Sequence, residues 1–592
     1  MPVKVKPDSV SIWKYIRAQR SKEIKRTSAL SQCSFVFQRL SVTNTVHKLL
    51  RWYLILIAGL VFLFTGCKDQ TYSPTVFHYN EFTGIASLDP AFAKNQSTMW
   101  PAHQLFNTLV EVDSQLHIVP SLAKSWEVSD NRLIYTFHLR NDVFFNDDPA
   151  FENGKGRKLN ANDIVFSFSR LIDTKLASPG AWIFNHKVDS LQPFLALNDS
   201  VFQLKLLRPY NPVLGILSMQ YCSIVAPEAV KKYGPDFRRH PVGTGPFRFV
   251  AWEEGQALVL GRNDHYFETD AQGAPLPYLD GIKITFYDSK ATEFLLFRQK
   301  KLDFINDIDP SFKDELLTKQ GELRKDWQGK VQLHITPYLN VEYLGILVDS
   351  TNALVKTSPL RMKKIRQAIN YGFDRRKMML YLRNSLSSPA ESGFVPMGLP
   401  SFDSVKVKGY TYDPALSRQL LTEAGFPNGK NLPVIKLLTI AIYADFADFL
   451  AKQLSEIGIP VQVETVQKAL LLEMTSNSRA LFFRASWIAD YPDAENYLSV
   501  FYSKNPSPPN YTRYKNEQFD ALFEKALQEQ NDSIRYNLYQ QADQLVIKEA
   551  PVVPLWYDKA IHLVQPNVNG FYANSLNLLE LRRTKINASA YP

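Results

Sequence analysis

Strand-like and helix-like runs alternate along most of this chain, and that alternation limits the folds that it can adopt. Residues 133–139 and 281–287 alternate apolar and polar side chains with a period of two, which predicts strands. Residues 444–458 place apolar side chains at helical spacing and end in Gly458, before another alternating run at 459–466. Helix followed by strand, repeated in this way, predicts an α/β fold with a largely parallel sheet.

A short apolar run near the N-terminus divides the chain. Fourteen uncharged residues, Trp52 to Thr65, follow Arg51 and lead into Gly66-Cys67. The run is shorter than the roughly 20 residues that a membrane-spanning helix needs, and it is typical of a signal peptide. The sequence L-F-T-G-C resembles the lipobox of bacterial lipoproteins, which implies that residues 1–66 are removed and that Cys67 carries the lipid. A signal anchor with an incidental Cys is the alternative.

The net charge of +10 is concentrated before this boundary. Residues 1–66 hold eleven of the 68 Lys and Arg but only two of the 58 Asp and Glu, so 57 basic and 56 acidic residues remain in the rest of the chain. A chain with this balance has no general attraction to a phosphate backbone, so the sequence predicts no nucleic-acid partner.

The sequence offers no catalytic or metal-binding motif. The ten His include no H-E-x-x-H pair, and G-T-G-P-F at 243–247 lacks the spacing of a nucleotide-binding loop and is expected to form a turn. Once Cys33 leaves with the leader and Cys67 is lipidated, Cys222 has no disulfide partner and is expected to be a small buried residue. We therefore expect no enzyme activity, no metal and no cofactor.

From about Tyr72 onward the chain resembles the bacterial solute-binding proteins of the oligopeptide and dipeptide family, the extracytoplasmic receptors of ABC importers. The resemblance rests on an ordered series of segments across some 500 residues. These are S-L-D-P (87–90), residues 122–147 with 159–167, P-V-G-T-G-P-F-R-F (241–249), R-N-D-H-Y-F (262–267), and residues 365–375, 412–429 and 549–556.

The resemblance implies a two-lobed α/β fold that closes on a hinge around its ligand, with an extra domain inserted in the first lobe. We expect lobe I to comprise residues 67–98, 223–341 and 556–592, the inserted domain residues 99–222, and lobe II residues 342–555. It also implies a monomer that is held at the membrane of the cell envelope by its lipid and delivers short peptides to an ABC permease and its ATPase.

Three carboxylates follow an apolar run in R-A-S-W-I-A-D-Y-P-D-A-E (484–495). A strand through this run would place Asp490 just past its C-terminal end, where ligands collect in α/β sheets. Asp493 and Glu495 are instead expected at the start of a helix, Asp493 as its N-cap. In peptide-binding members of the family an Asp at this position holds the α-ammonium group of the peptide, and Asp490 matches it; a residue that only caps a turn is the alternative.

Arg484 lies six residues before Asp490, an even spacing that would face both side chains the same way along a strand. Some oligopeptide-binding members use an Arg here for the peptide carboxylate, which a guanidinium grips with two hydrogen bonds. A structural Arg that is paired with a neighbouring acid is the alternative. Both remain open at the level of sequence.

Aromatic and apolar residues complete the implied site. Trp487 and Ile488 of the same run are expected at the ligand, Trp487 as an apolar wall, with a core Trp as the alternative. Many oligopeptide-binding members have A-S-P-Y where this chain has A-S-P-G (177–180), so Gly180 replaces a Tyr that contacts the other lobe. Nearby Trp182 is expected to take its place. A non-peptide ligand on the same fold, such as an oligosaccharide, a metal chelate, haem or an opine, stays open, and a lipoprotein hydrolase is a remote alternative.

Overall fold

Helices and strands alternate along residues 74–587, the part of the chain that the computed structural model describes. The predicted leader 1–66 and Cys67 lie outside these residues. The helices are α1 (Gln96–Leu105), α2 (Ala161–Ile172), α3 (Val213–Leu217), α4 (Pro227–Tyr233), α5 (Lys290–Arg298), α6 (Pro310–Leu316), α7 (Ala353–Thr357), α8 (Lys363–Tyr371), α9 (Arg375–Arg383), α10 (Pro414–Glu423), α11 (Ala444–Ser455), α12 (Lys468–Ser476), α13 (Glu495–Leu498), α14 (Glu517–Gln528) and α15 (Asp532–Glu549).

The strands pair into sheets of two to seven members. They are β1 (Val76–Asn80), β2 (Val110–Val112), β3 (Ile118–Pro120), β4 (Ala123–Val128), β5 (Ile134–Leu139), β6 (Phe194–Asn198), β7 (Val201–Lys205), β8 (Phe247–Glu253), β9 (Ala257–Arg262), β10 (Gly281–Thr285), β11 (Phe304–Asn306), β12 (Gln332–Ile346), β13 (Ser388–Pro389), β14 (Ile435–Thr439), β15 (Val461–Thr465), β16 (Phe482–Ile488), β17 (Val552–Val564), β18 (Val568–Asn569), β19 (Tyr572–Ala573), β20 (Leu579–Glu580) and β21 (Lys585–Ile586).

The four segments whose periodicity was clearest fold as predicted. The two period-two runs form β5 and β10, the helical pattern forms α11, and the run after it forms β15. Gly458, just beyond α11, has a φ of +94°, the left-handed conformation that favours glycine at a helix end.

The prediction of a largely parallel sheet is wrong, because most neighbouring strands are antiparallel. A four-stranded sheet has the order β1-β10-β9-β8, a second has the order β4-β5-β7-β6, and the seven-stranded sheet has the order β11-β17-β12-β16-β14-β15 with β13 beside β17. Among these three sheets only β1–β10, β14–β15 and β14–β16 pair in parallel. The alternation of apolar residues reports which face of a strand is buried and carries no information about the direction of its neighbour.

Two long antiparallel strands lie next to each other in the seven-stranded sheet. β12 and β17 pair from Gln332 opposite Val564 to Gly345 opposite Val552, and the register shifts between Pro337 and Val341. One end of β17 also pairs with β11, whereas the other half of β12 pairs with β16. The break in register therefore lies where the chain passes from one part of the sheet to the other, which is a natural position for a hinge.

The side chains of β12 alternate between two hydrophobic cores. Val341 and Tyr343 pack on one face of the sheet with α13, α14 and α15, while Leu344 and Ile346 pack on the other face with α8, α9 and α11. A separate large core joins the sheet β1-β10-β9-β8 to the sheet β4-β5-β7-β6 and to α2. The seven-stranded sheet is thus covered on both faces, which leaves its strand ends as the place for a site.

The prediction of a turn at 243–247 is wrong, because the segment is irregular up to a bend at 245–246 and β8 begins at Phe247. Its glycines are explained by a close approach of two backbones. A Cβ added to Gly243 would lie 2.2 Å from the carbonyl oxygen of Leu105, and one added to Gly245 would lie 2.4 Å from the carbonyl carbon of the same residue. Only glycine leaves room for the end of α1 here. Cys222 is buried and unpaired, as expected.

Within residues 74–587, we find no helix whose length and apolar character would allow it to cross a bilayer.

Candidate ligand-binding cleft

The end of strand β16 presents the residues that the sequence singled out. β16 ends at Ile488, so Asp490 lies two residues beyond the strand, as predicted. Within the strand, Trp487 packs toward the core that contains Tyr343, and Ile488 is half-exposed at the strand end. β16 lies between β12 and β14 in the sheet, so the segment after it emerges at an inner position of the strand ends.

A cavity of about 800 Å³ opens beside this segment. One wall comes from residues 182–210, namely Trp182, His186, Lys187, Arg208, Pro209 and Tyr210, and the other from side chains between Trp487 and Gln528. Of the predicted site residues, Trp182, Trp487 and Asp490 line it together, whereas Arg484 and Ile488 do not. Its volume is in the range of small-molecule binding sites.

The Asp490 carboxylate is held by an amide and has no charged partner within residues 74–587. Trp487 Nε1 donates to Asn496 Oδ1 at 2.9 Å, and the Asn496 side chain is in turn hydrogen-bonded to Asp490. Among the described residues no Lys, Arg or His nitrogen lies within 4.0 Å of this carboxylate. The surrounding protein atoms raise the pKa of Asp490, because they disfavour its charged form more than Asn496 stabilises it.

Arg484 is occupied by a buried acid. Its Nη2 lies 2.5 Å from Glu342 Oε2, and its guanidinium carbon lies 3.8 Å from the centre of the Tyr443 ring. Burial raises the pKa of Glu342 to about 7, although Arg484 opposes this change. Of the two roles considered for Arg484, these contacts favour the structural ion pair.

Trp182 reaches across to the segment after β16. Its ring stacks on Tyr491 with 6.3 Å between ring centres and 30° between planes. It lies in the short turn Pro179–Ile183. A Cβ on Gly180 would lie 2.5 Å from the ring of Tyr221, so Tyr221 fills the space beside the glycine. Trp182 therefore supplies an aromatic contact with the opposite wall, as expected from the sequence, while Tyr221 occupies the space beside Gly180.

Glu495 makes a polar contact between the two walls of the cavity. Tyr210 donates to Glu495 Oε2 at 3.2 Å from one wall, and Tyr491 donates to the same oxygen from the other. The pKa of Glu495 is raised to about 7, mainly because burial disfavours its charged form. The hydrogen bond from Tyr491 and the charge of Lys187 oppose this rise, whereas the charge of Asp493 adds to it. Glu495 begins helix α13 as expected, but its carboxyl group serves this contact.

Asp493 has a structural role. Its carboxylate accepts the backbone amide of Glu495 at 2.9 Å and pairs with Arg535 of α15. The prediction that Asp493 is the N-cap residue is off by one position, since α13 begins at Glu495 and Ala494 precedes it without a side-chain bond. The ion pair with Arg535 comes from a helix 40 residues away in sequence and could not be read from the local pattern.

The comparisons with known proteins bear on this arrangement of sheets and cleft. The model of the family described as bacterial extracellular solute-binding proteins, family 5, middle region, matches residues 117–509, which is more than half of the chain. The chain belongs to family 5 of the bacterial extracellular solute-binding proteins.

Similar proteins of this family include two curated relatives and a solved structure. Heme-binding protein A of Haemophilus influenzae is 28% identical over 496 residues, which cover 79% of this chain and 84% of that protein. Glutathione-binding protein GsiB of Escherichia coli is 25% identical over 499 residues, which cover 83% and 90%. The periplasmic binding protein DppA of Helicobacter pylori, solved with the peptide STSA, superimposes with a TM-score of 0.67 at 24% identity and covers 86% of this chain and 98% of its own.

These findings confirm the predicted fold class of a two-lobed, mixed α/β periplasmic-binding-protein fold. They also place this solute-binding protein with the extracytoplasmic receptors of ABC importers, whose members deliver ligands to a permease, and its relatives are binding proteins and not enzymes. The predicted domain boundaries stay a prediction.

Reasoning from sequence missed several residues of the cleft in this solute-binding protein. Asn496 directly follows the acidic stretch 484–495, of which only the carboxylates were considered for polar contacts. Tyr210 and Lys187 come from the other wall, and no local pattern links them to residues some 280 positions later. A signal existed only for Tyr210, which lies in the loop R-P-Y-N-P between β7 and α3, a type of segment that often carries functional residues.

Proposed function

We propose that this protein captures short peptides in the cavity beside Asp490 and delivers them to an ABC permease from a lipid anchor on Cys67. The observation that carries the peptide assignment is the unpaired Asp490 carboxylate. It faces a cavity between two walls of the protein and has no cation within ion-pair distance among residues 74–587.

A charged carboxylate in such a place is stabilised by a ligand that brings its own cation. Asp490 is exposed to the cavity, and the protein atoms around its carboxylate raise the pKa of that group because they disfavour its charged form. The α-ammonium of a peptide would return the counter-charge and donate hydrogen bonds to the carboxylate. The amide of Asn496 and the indole of Trp487 fix the carboxylate for that contact.

The aromatic side chains supply an apolar surface for the body of the ligand. Trp182 is 36% exposed and lines the cavity together with Trp487, so stacking surface remains available on both walls. The relative named for glutathione binding supports a peptide ligand, because glutathione contains peptide bonds, an ammonium group and carboxylates.

Haem is a second candidate ligand. The relative named for haem binding raises it, and His186, which lines the same cavity, could contribute an imidazole to haem iron. A haem titration followed by absorbance separates the two candidates: a shifted Soret band that is lost in His186→Ala would favour haem.

The peptide assignment is tested by a cycle of protein and ligand changes. A mixed library of short peptides is offered to the purified protein, the most enriched peptide is identified by native mass spectrometry, and its affinity is measured by calorimetry with a free and an acetylated N-terminus. We expect Asp490→Asn to weaken the free peptide about tenfold or more and to change the acetylated peptide little, since a charge-assisted hydrogen bond contributes roughly 1.5–3 kcal/mol.

Asp130→Asn is the matched control, because Asp130 is an exposed acid of the first wall's domain that lies outside the cavity. Equal affinity of the wild type and Asp490→Asn for the free peptide would refute the anchor role. Failure of the wild type to enrich any peptide would refute the function itself.

The lipid anchor is tested separately. Metabolic labelling with a radioactive fatty acid should mark the wild type and not Cys67→Ala, and Cys67→Ala should move from the membrane fraction to the soluble envelope fraction. A membrane-bound, unlabelled protein would contradict the anchor.

A further inference from the structure

Lys and Arg side chains that line the cavity equal Asp and Glu side chains in number, but the two signs are distributed unevenly between its walls. Three cations, Lys187, Arg208 and Lys504, face three carboxylates, those of Asp490, Glu495 and Glu524. Lys504 pairs with Glu524 and lowers the pKa of that carboxyl group, so these two neutralise each other. Asp490 has no ion-pair partner in the described part of the chain.

The remaining cations outnumber the remaining acid. Lys187 and Arg208 are close enough that the charge of Arg208 lowers the pKa of Lys187, after burial as the larger cause, while Glu495 raises it. Neither has a carboxylate within 4.0 Å among the described residues. Glu495 acts on Lys187, and Glu524 acts on Arg208 at longer range. Glu524 already pairs with Lys504, and Glu495, with a pKa of about 7, is only partly charged near neutral pH. One positive charge or more is therefore left over on this side of the cavity.

Lys187 is positioned by Trp182, and no carboxylate of the described residues lies within 4.0 Å of its ammonium group. Its Nζ donates to the carbonyl oxygen of Trp182 at 2.9 Å and lies 4.9 Å from the centre of the Trp182 ring. These contacts use one of its three hydrogen-bond donors and fix the ammonium group at the rim of the cavity. Arg208 is exposed on the same wall and offers a guanidinium fork, which suits a planar carboxylate.

We infer that Lys187 and Arg208 form the subsite for the C-terminal carboxylate of the bound peptide, opposite the ammonium subsite at Asp490. A neutral cavity with a separated excess of one charge at each side fits a zwitterion, whose net charge is zero and whose charges are apart. The inference rests on the proposed function, and it names the carboxylate subsite on the wall of residues 182–210. Arg484, the residue first considered for this role, is occupied by Glu342.

The test compares the enriched peptide as a free acid with the same peptide amidated at its C-terminus. Calorimetry is carried out on the wild type, Arg208→Met, Lys187→Met and Lys504→Met. Arg208 is exposed, so its variant is expected to fold normally, and methionine keeps the apolar stem of Lys187 against Trp182. Lys504→Met is the matched control, a cation of the same cavity that already has a carboxylate partner.

We expect amidation to weaken wild-type binding about tenfold, and Arg208→Met and Lys187→Met to weaken the free acid by a similar factor while changing the amide less than about threefold. Lys504→Met should bind the free acid and the amide with the same ratio of affinities as the wild type. If acid and amide bind equally to the wild type, or if the two variants weaken both alike, the carboxylate subsite is wrong. That result leaves Asp490 untouched, whereas a wild type that binds neither form refutes the proposed function instead.

Discussion

Glu495 makes the stability of this protein depend on pH in a direction that can be stated in advance. The pKa of its carboxyl group is about 7 in the folded protein, against an ordinary value of 4.5, because burial disfavours the charged form. Between these values the folded protein retains a proton that the unfolded chain has released, so the free energy of unfolding falls as pH rises from 4.5 to 7 and then levels off. The difference of about 2.5 between the two pKa values, at about 1.4 kcal/mol per pKa unit, corresponds to roughly 3 kcal/mol.

The substitution Glu495→Gln removes this effect with little change of shape. At pH 5 the carboxyl group of the folded wild type is protonated, so its ionisation should contribute little to the difference in free energy of unfolding between the two proteins. At pH 8 the wild type carries a buried charge and the variant does not, so the variant should gain up to roughly 3 kcal/mol relative to the wild type between the two pH values. The amide oxygen of Gln can still accept from Tyr210 and Tyr491.

Urea denaturation at a series of pH values measures the difference between the variant and the wild type. Taking that difference cancels the other buried acids with a pKa of about 7, such as Glu342 and Asp543. Glu524→Gln is the control from the same cavity, and it should show no such gain with rising pH, since Lys504 lowers the pKa of Glu524. A difference between Glu495→Gln and the wild type that stays constant from pH 5 to pH 8 would refute the reasoning.

Two further substitutions test individual contacts. Arg484→Met leaves Glu342 buried without its cation and should lower the free energy of unfolding by roughly 3–5 kcal/mol at pH 8. The loss should be smaller at pH 5.5, where Glu342 is protonated, and the added substitution Glu342→Gln should restore much of it. Unchanged stability together with a loss of peptide affinity would instead assign Arg484 to the ligand. Gly180→Ala places a Cβ 2.5 Å from the Tyr221 ring and should cost about 1–3 kcal/mol in thermal or urea unfolding, and an unchanged melting temperature would show that Tyr221 does not fill that space.

Local pattern accounts for much of the fold. Strand and helix segments such as β5 and α11 have a periodicity that depends only on which face they bury, so they could be predicted without any partner. The position of Asp490 followed from the same logic, because the strand before it could be recognised from its apolar run. The direction of strand pairing could not, since hydrogen bonding along β12 and β17 joins residues more than 200 positions apart.

Most of the cleft residues that could be predicted lie on one wall, and Trp182 was the one residue expected from the other wall. Asp490 and Trp487 belong to one continuous segment whose pattern could be compared with a family. Lys187 and Tyr210 reach the same cavity through the packing of a separate sheet, and their role depends on which charges lie opposite them. The role of Arg484 could not be predicted either, because its partner Glu342 lies on the neighbouring strand β12, 142 positions away in sequence.

The central claim, that this solute-binding protein carries short peptides, is tested most directly by the mass of what it binds in its own cell envelope. The protein is purified from that source without denaturation, and native mass spectrometry with fragmentation reads the bound species. The account predicts small masses that fragment into amino-acid residues, with a free amine that reacts with an amine-specific label once the ligand is released. A bound species that fragments into sugar units, or that carries the absorbance of haem, would contradict it.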